Sequence, residues 1–262
     1  MRLVIEKPGT DPHGRAGFAP VKSADRVLQI LEVLGSSAGP QQLTELAREL
    51  SIPKSSLHGI LETLRHRGWV ELDKLTGRYA LGIRSMHLAS SYLDSPGVLQ
   101  RAGSTLDWLN AATEETVQFG RLDGYEVVYL AKRQSRHPVQ LISDVGKRLP
   151  ANATALGKAI LAEYPDEELE VMLAESLPRL TTRTLATRSE LLADLARVRE
   201  RGYAVDNEEA IDEIYCFAIA LRQRSIPTTD AISVSIPKFR ATDSTLRNIT
   251  ELLLEARTRL EV

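Results

Sequence analysis

The sequence holds one cysteine in 262 residues. A single thiol can neither close an internal disulfide nor supply a thiolate zinc site, so disulfide scaffolds and cysteine-rich metal modules are excluded and a reducing compartment fits. No apolar run approaches the 18 residues that a spanning helix needs, and Met1 to Pro20 carries proline, glycine and mixed charge instead of a signal-peptide stretch. A cytoplasmic chain with no membrane partner is expected. The sequence also lacks a nucleophile elbow, a phosphate loop and a metal-ligand cluster. No catalytic residue, metal or cofactor is therefore assigned.

Charge of either sign is not in excess: 33 lysines and arginines stand against 35 aspartates and glutamates, a formal net charge of −2. Its distribution is more informative. Residues 1–95 carry 12 basic against 10 acidic side chains, and residues 96–262 carry 21 against 25. The basic bias sits at the front, where contact with a polyanion would use it.

What is present divides into two domains. Residues 1–21, with Pro8, Gly9, Pro12, Gly14, Gly17 and Pro20, have no hydrophobic period and read as a flexible N-terminal arm. Order is expected from Ser23, an N-cap candidate: Val27, Leu28, Ile30, Leu31 and Leu34 recur at helical spacing, and Gly35 is the stop signal. Thr44 then caps a short segment with Leu46, Ala47 and Leu50 on one face. Ser51-Ile52-Pro53 turns the chain, and a further amphipathic helix runs through Leu57, Ile60, Leu61 and Leu64 to Gly68. This is helix-turn-helix spacing. Trp69 to Leu72 and Arg78 to Leu81 flank a glycine-containing turn and read as a hairpin, the wing of a winged helix-turn-helix over residues 22–95. Ile83 to Leu93 returns to helical spacing, Ser95-Pro96-Gly97 marks the boundary, and residues 96–113 form a linker helix.

From Thr116 the reading is mixed. Val117 to Leu122 and Glu126 to Leu130 flank Asp123-Gly124, a strong hairpin signal. Further strands are placed near Val139–Ile142, Tyr215–Leu221 and Ala231–Ile236, and helices near Thr154–Ala162, Glu167–Ala174, Ser189–Arg201 and Thr242–Leu260. Strands among helices, opening on a hairpin, imply an α+β domain on a mainly antiparallel sheet over residues 114–262.

A recognition helix presents its first turn to base edges while basic and hydroxyl groups hold phosphates beside it. Lys54, Ser55, Ser56 and His58 suit that turn. Arg65, with His66 and Arg67, gathers charge at the helix end, where it serves either phosphate or the helix dipole; Arg78 in the wing and Thr44 are further phosphate candidates. Spacing alone also fits a three-helix packing module that binds no nucleic acid.

The segment Val21 to Leu88 resembles the IclR family of bacterial regulators. The resemblance is carried by Ser23-Ala24-Asp25-Arg26, Leu43-Thr44-Glu45-Leu46-Ala47, Ile52-Pro53-Lys54-Ser55-Ser56-Leu57-His58, Arg67-Gly68-Trp69-Val70 and Gly77-Arg78-Tyr79-Ala80-Leu81-Gly82. It continues through Glu126 to Leu130, Ala153 to Ala159 and Arg199 to Asp206. The resemblance implies a winged helix-turn-helix followed by a GAF-like effector-binding domain, acting as a homodimer or dimer of dimers on double-stranded operator DNA. Gly59 departs from it: an arginine or other polar residue is usual there, and glycine in mid-helix costs about 1 kcal/mol against alanine.

A pocket for a small organic acid needs donors for the carboxylate and an apolar wall. Ser233 and Ser235, two apart in Ile232 to Ile236, put both hydroxyls on one face of the strand, where they need a common partner; a ligand oxygen is one candidate. The resemblance places Asp206, Cys216, Ser233 and Ser235 on effector-lining positions, with backbone donors from Ala153, Thr154, Ala155, Leu156 and Gly157. It departs at Glu213-Ile214-Tyr215, where a glycine-containing turn is usual, and at Ile226-Pro227. Tyr215 and Phe217 point away from Cys216 and are expected in the core. The effectors it implies are short aliphatic acids such as pyruvate or glyoxylate, or hydroxybenzoate-type aromatic acids, and an apolar wall favours the aromatic. The competing reading is an enzyme with Cys216 or a serine as nucleophile and His137 as base; no pattern in the sequence sets an orienting carboxylate beside His137.

Overall fold

A computed structural model describes residues 19–93, 98–138, 144–222 and 228–260. Most of the arm, the break at 95–97, the strand expected at 139–142 and the Ile226-Pro227 connection lie outside these residues. The chain separates into two compact units, Met1–Ser95 and Pro96–Val262.

In the first unit, helix α1 (Lys22–Ser36) buries Ile30, Val33 and Leu34. Its N-cap is Val21, with no side-chain cap, and it runs past Gly35, so neither terminal signal read from the sequence acts. Strand β1 (Gln41–Gln42) leads into α2 (Leu43–Glu49). Thr44 is not its cap. Gln42 takes that place in a reciprocal capping box, and the Glu45 carboxylate accepts the Gln42 N–H at 2.8 Å. The chain turns at Ser51, whose φ of 54° is left-handed, and enters α3 (Lys54–His66), which buries Leu57, Leu61 and Leu64 along one stripe. Gly68, at φ 74°, ends the turn that follows. Strands β2 (Val70–Asp73) and β3 (Arg78–Leu81) pair antiparallel, and β1 adds to the far edge of β3. Helix α4 (Ile83–Leu93) buries no residue and exposes Ile83, Met86, Leu88 and Tyr92.

The second unit opens with α5 (Val98–Thr113), whose Ala102, Leu106 and Leu109 are buried within it. Strands β4 (Thr116–Asp123) and β5 (Glu126–Arg133) form a hairpin whose two-residue turn has Gly124 at φ 61°. Then follow β6 (Arg148–Pro150), α6 (Ala155–Leu161), α7 (Asp166–Met172), α8 (Arg188–Arg201), β7 (Ala204–Asn207), β8 (Ile214–Ala220), β9 (Asp230–Pro237) and α9 (Asp243–Leu260). The six strands make one antiparallel sheet in the order β6-β5-β4-β9-β8-β7. β6 and β7 were not read from the sequence. One face packs Tyr129, Ala218, Ala220 and Ala231 against α6 and α8; the alternate residues Val117, Phe119, Phe217, Ile219, Ile232 and Val234 are buried too, with α5 and α9 on β4 and β8.

Two glycines make close packing possible. A Cβ on Gly157 would stand 2.3 Å from the Ala151 carbonyl oxygen, and one on Gly120 would stand 2.6 Å from Val127 and 3.0 Å from Leu156. Helix α6 therefore lies nearer to β4 and to the 151–153 turn than any other residue would permit.

Candidate functional site

The helix-turn-helix of the first unit leaves the first turn of α3 open. Lys54, Ser55, Ser56 and His58 are exposed while Leu57 is fully buried, so the helix shows its polar face to solvent at the end a DNA groove would receive. Gly59 continues that face, and a Cβ there would meet nothing within 4 Å. Thr44 is exposed on the first turn of α2. The other two candidates are engaged within the protein. Arg65 grips Glu62 through two nitrogens, the closest approach being 2.7 Å. Arg78 donates to the Pro40 carbonyl at 2.9 Å and reaches Glu45 at 3.4 Å, tying the wing to the start of α2.

In the second unit, antiparallel register sets Asp206 opposite Cys216 and Cys216 opposite Ser235, one row across β7, β8 and β9. Gln118 on β4 lies opposite Ser233. These residues face the side of the sheet covered by α6, and a cavity of about 20 Å³ opens among them, lined by Gln118, Tyr129, Asp206, Cys216 and Ser235 with Leu149, Ile211 and Ile214 as apolar wall. The exposed Lys147 reaches it too. That volume holds a water or two.

The serine pair finds its common partner inside the protein. Ser233 and Ser235 both donate to Oε1 of Gln118, at 3.2 and 3.0 Å, and the Cys216 Sγ lies 3.1 Å from the Ser235 hydroxyl. Ser233 stands behind the cavity, not in its lining. The segment from Ala153 to Gly157 is also outside the lining. Ala153, Ala155 and Leu156 are core, Thr154 caps α6, and the Gly157 N–H donates to the Thr154 hydroxyl at 3.0 Å. Phe217 is buried as expected, whereas Tyr215 is only partly so.

Three groups around the cavity are strongly perturbed, Asp206 among them. Burial, then the charge of Glu209, pushes the Asp206 carboxyl up to about 7, although it accepts the Glu209 N–H at 2.7 Å. Burial also holds the Cys216 thiol and the Tyr129 phenol well above their ordinary values, with Asp206 adding to both. A thiol held neutral is a poor nucleophile. His137 does have a carboxylate beside it, Glu115 at 3.7 Å, but both Glu115 oxygens are taken by Arg240 at 2.7 and 2.8 Å. The enzyme reading gains nothing from this pair.

Sequence reasoning missed the charged group that fixes this wall. Lys158, fully buried on α6, contacts Glu209 at 2.6 Å and Asp194 of α8 at 2.9 Å. Glu209 in turn accepts the Asn207 N–H at 3.2 Å, so the trio clamps the loop that presents Asp206. The signal was a lone lysine in the otherwise apolar stretch Ala155 to Ala162.

A model of the IclR helix-turn-helix domain matches residues 23–74, and the bacterial transcriptional regulator IclR C-terminal model matches residues 90–261. The chain belongs to the IclR family. It is 32% identical to the HTH-type transcriptional regulator XynR of Escherichia coli K12 over 237 residues, 90% of this chain and 94% of that one. It is 31% identical to the transcriptional repressor IclR of the same organism over 239 residues, 90% and 87% of the two chains. A solved IclR homolog from Microbacterium hydrocarbonoxydans, complexed with 4-hydroxybenzoate, superposes with a TM-score of 0.75 at 24% identity over 91% of this chain and 98% of that one. The protein is thus a DNA-binding transcription regulator with an effector-binding domain, in a family of regulators and not of enzymes. No helix among the described residues is long and apolar enough to cross a membrane.

Proposed function

We propose that this IclR-family regulator is a repressor whose grip on operator DNA is loosened by a small carboxylate bound between Asp206, Cys216, Ser235 and Gln118. The observation that carries the reading is the row of Asp206, Cys216 and Ser235 on one sheet face. A hydroxyl, a thiol held neutral and a carboxyl raised to about 7 converge on one cavity with apolar side chains beside them. The hydroxyl, the thiol and the positive charge of Lys147 suit an anion, and Leu149, Ile211 and Ile214 suit a small apolar body. The 4-hydroxybenzoate held by the Microbacterium homolog supports an aromatic acid; pyruvate and glyoxylate are the aliphatic alternatives.

Lys54, Ser55, Ser56 and His58 are the groups proposed to enter the major groove, with Thr44 on a flanking phosphate; Arg65 and Arg78 would first have to leave their internal partners. The bare apolar face of α4 supports self-association, in which two recognition helices meet successive grooves about one turn apart. Ligand binding would act by changing that spacing, with residues 96–113 as the connection.

Gel-shift titration with the operator, over a range of salt, tests the reading. Lys54→Ala should lower the salt slope by about 0.9 for each phosphate that the lysine neutralises. Adding 4-hydroxybenzoate or pyruvate should weaken the complex, and DNA affinity unmoved by every acid would remove the effector proposal.

A further inference from the structure

The hydroxyls of Ser233 and Ser235 converge on a single oxygen, Oε1 of Gln118, and all three side chains are nearly inaccessible to solvent. Two hydroxyl donors on one acceptor is the arrangement a carboxylate oxygen would complete. The cavity beside it, at about 20 Å³, has no room for an organic acid. Something must therefore yield before an acid reaches the serines. Gln118 is the side chain that both lines the cavity and holds them.

We propose that Gln118 is an internal stand-in for the effector's carboxylate and the residue that sets which acids this regulator accepts. The inference rests on the effector reading above. An incoming acid displaces the amide oxygen, takes over the two serine hydrogen bonds, and occupies the volume that the amide leaves. Because the acceptor it replaces is neutral, the exchange favours an anion: charge-assisted hydrogen bonds are roughly twice as strong as neutral ones. Neutral analogues, which offer no better oxygen than the amide, are refused. The length of the glutamine sets the size threshold, since the acid must fill the space it vacates.

The test compares the full-length regulator with Gln118→Met, which keeps the volume but offers no oxygen, and with Gln118→Ala, which also opens the cavity. Dissociation constants for pyruvate, 4-hydroxybenzoate and the neutral 4-hydroxybenzamide are measured by calorimetry, with circular dichroism and melting curves to certify the fold. Gln118→Met should bind both acids at least about tenfold more tightly, because no internal acceptor competes for the hydroxyls. Gln118→Ala should shift preference toward 4-hydroxybenzoate. Gln118→Glu, which seats a fixed carboxylate over the serines, should lose acid binding. Folded variants that keep the wild-type constants and the wild-type order of acids overturn the role of Gln118 alone. If neither wild type nor any folded variant binds an acid, the effector reading falls with it. A wild type that binds no acid beside a Gln118→Met that does would support the stand-in.

Discussion

Replacing Lys158 by methionine removes one charge and keeps the volume. The ammonium is fully buried, with Glu209 at 2.6 Å and Asp194 at 2.9 Å. Without it, two carboxylates whose side chains are 7% and 8% exposed face each other and the neighbouring Asp206 with no buried cation between them. Removing one partner of a buried ion pair costs about 3–5 kcal/mol, most of it the penalty on the charges left behind. For a unit of this size that is a fall of roughly 6–20 °C in melting temperature. The sign with pH follows from the carboxylates. Asp194 is at present held below its ordinary value: burial raises it, but the charge and hydrogen bond of Lys158, with Arg197, outweigh that. Glu209 is raised by burial even with Lys158 opposing. In the variant both would be raised, so the native state would take up protons that the unfolded chain lacks. The loss should then be full near pH 8 and shrink as the pH falls toward 5. Scanning calorimetry at pH 8 and pH 5.5 reads this directly. A variant within 1 °C of wild type at pH 8, or a deficit that does not shrink in acid, would refute the claim that this lysine is held for its charge. Adding Asp194→Asn and Glu209→Gln should restore most of the lost stability.

Three further outcomes are expected. Asp206 holds a proton up to about pH 7 in the fold but gives it up near pH 4 when unfolded, so its contribution is full below that lower value and lost as pH rises to 7; at about 1.4 kcal/mol per pH unit, Asp206→Asn should stabilise the second unit by up to about 4 kcal/mol at pH 8 and by only about 1 kcal/mol near pH 4.5. Gly157→Ala drives a methyl to 2.3 Å from the Ala151 carbonyl oxygen and should cost about 3 kcal/mol or prevent folding of that unit, seen as an early calorimetric transition. Gly59→Ala meets open space in mid-helix and should raise the stability of the first unit by about 1 kcal/mol in urea unfolding.

The elements written most plainly were those whose signals are local. The stripe Leu57, Leu61 and Leu64 and the Asp123-Gly124 turn each act through neighbours within a few residues. Thr44 misled because hydroxyls usually cap, while the box that forms, Gln42 with Glu45, uses an amide and a carboxylate three apart. β1 and β6, at two and three residues, are too short to carry an alternation, and β7, at four, lacks the glycine-containing turn that marks the equally short β2 and β3 as a hairpin; only pairing with β3, β5 and β8 defines them. The shared face of Ser233 and Ser235 followed from period two. Their partner did not, because Gln118 is 115 residues away from Ser233 and reaches it only through the β4–β9 ladder. The departure at Glu213 has a backbone explanation: φ is 64°, so glutamate holds a conformation glycine takes freely.

That same ladder governs how the polypeptide matures. Its two central partners, Thr116–Asp123 and Asp230–Pro237, are synthesised more than a hundred residues apart. The ligand-sensing half cannot close its sheet until Asp230–Pro237 has been made, whereas the DNA-contacting half is complete long before. For that interval a ribosome-bound chain carries a finished operator reader beside an unpaired strand edge, the state most open to chaperones and to pairing with a neighbouring copy.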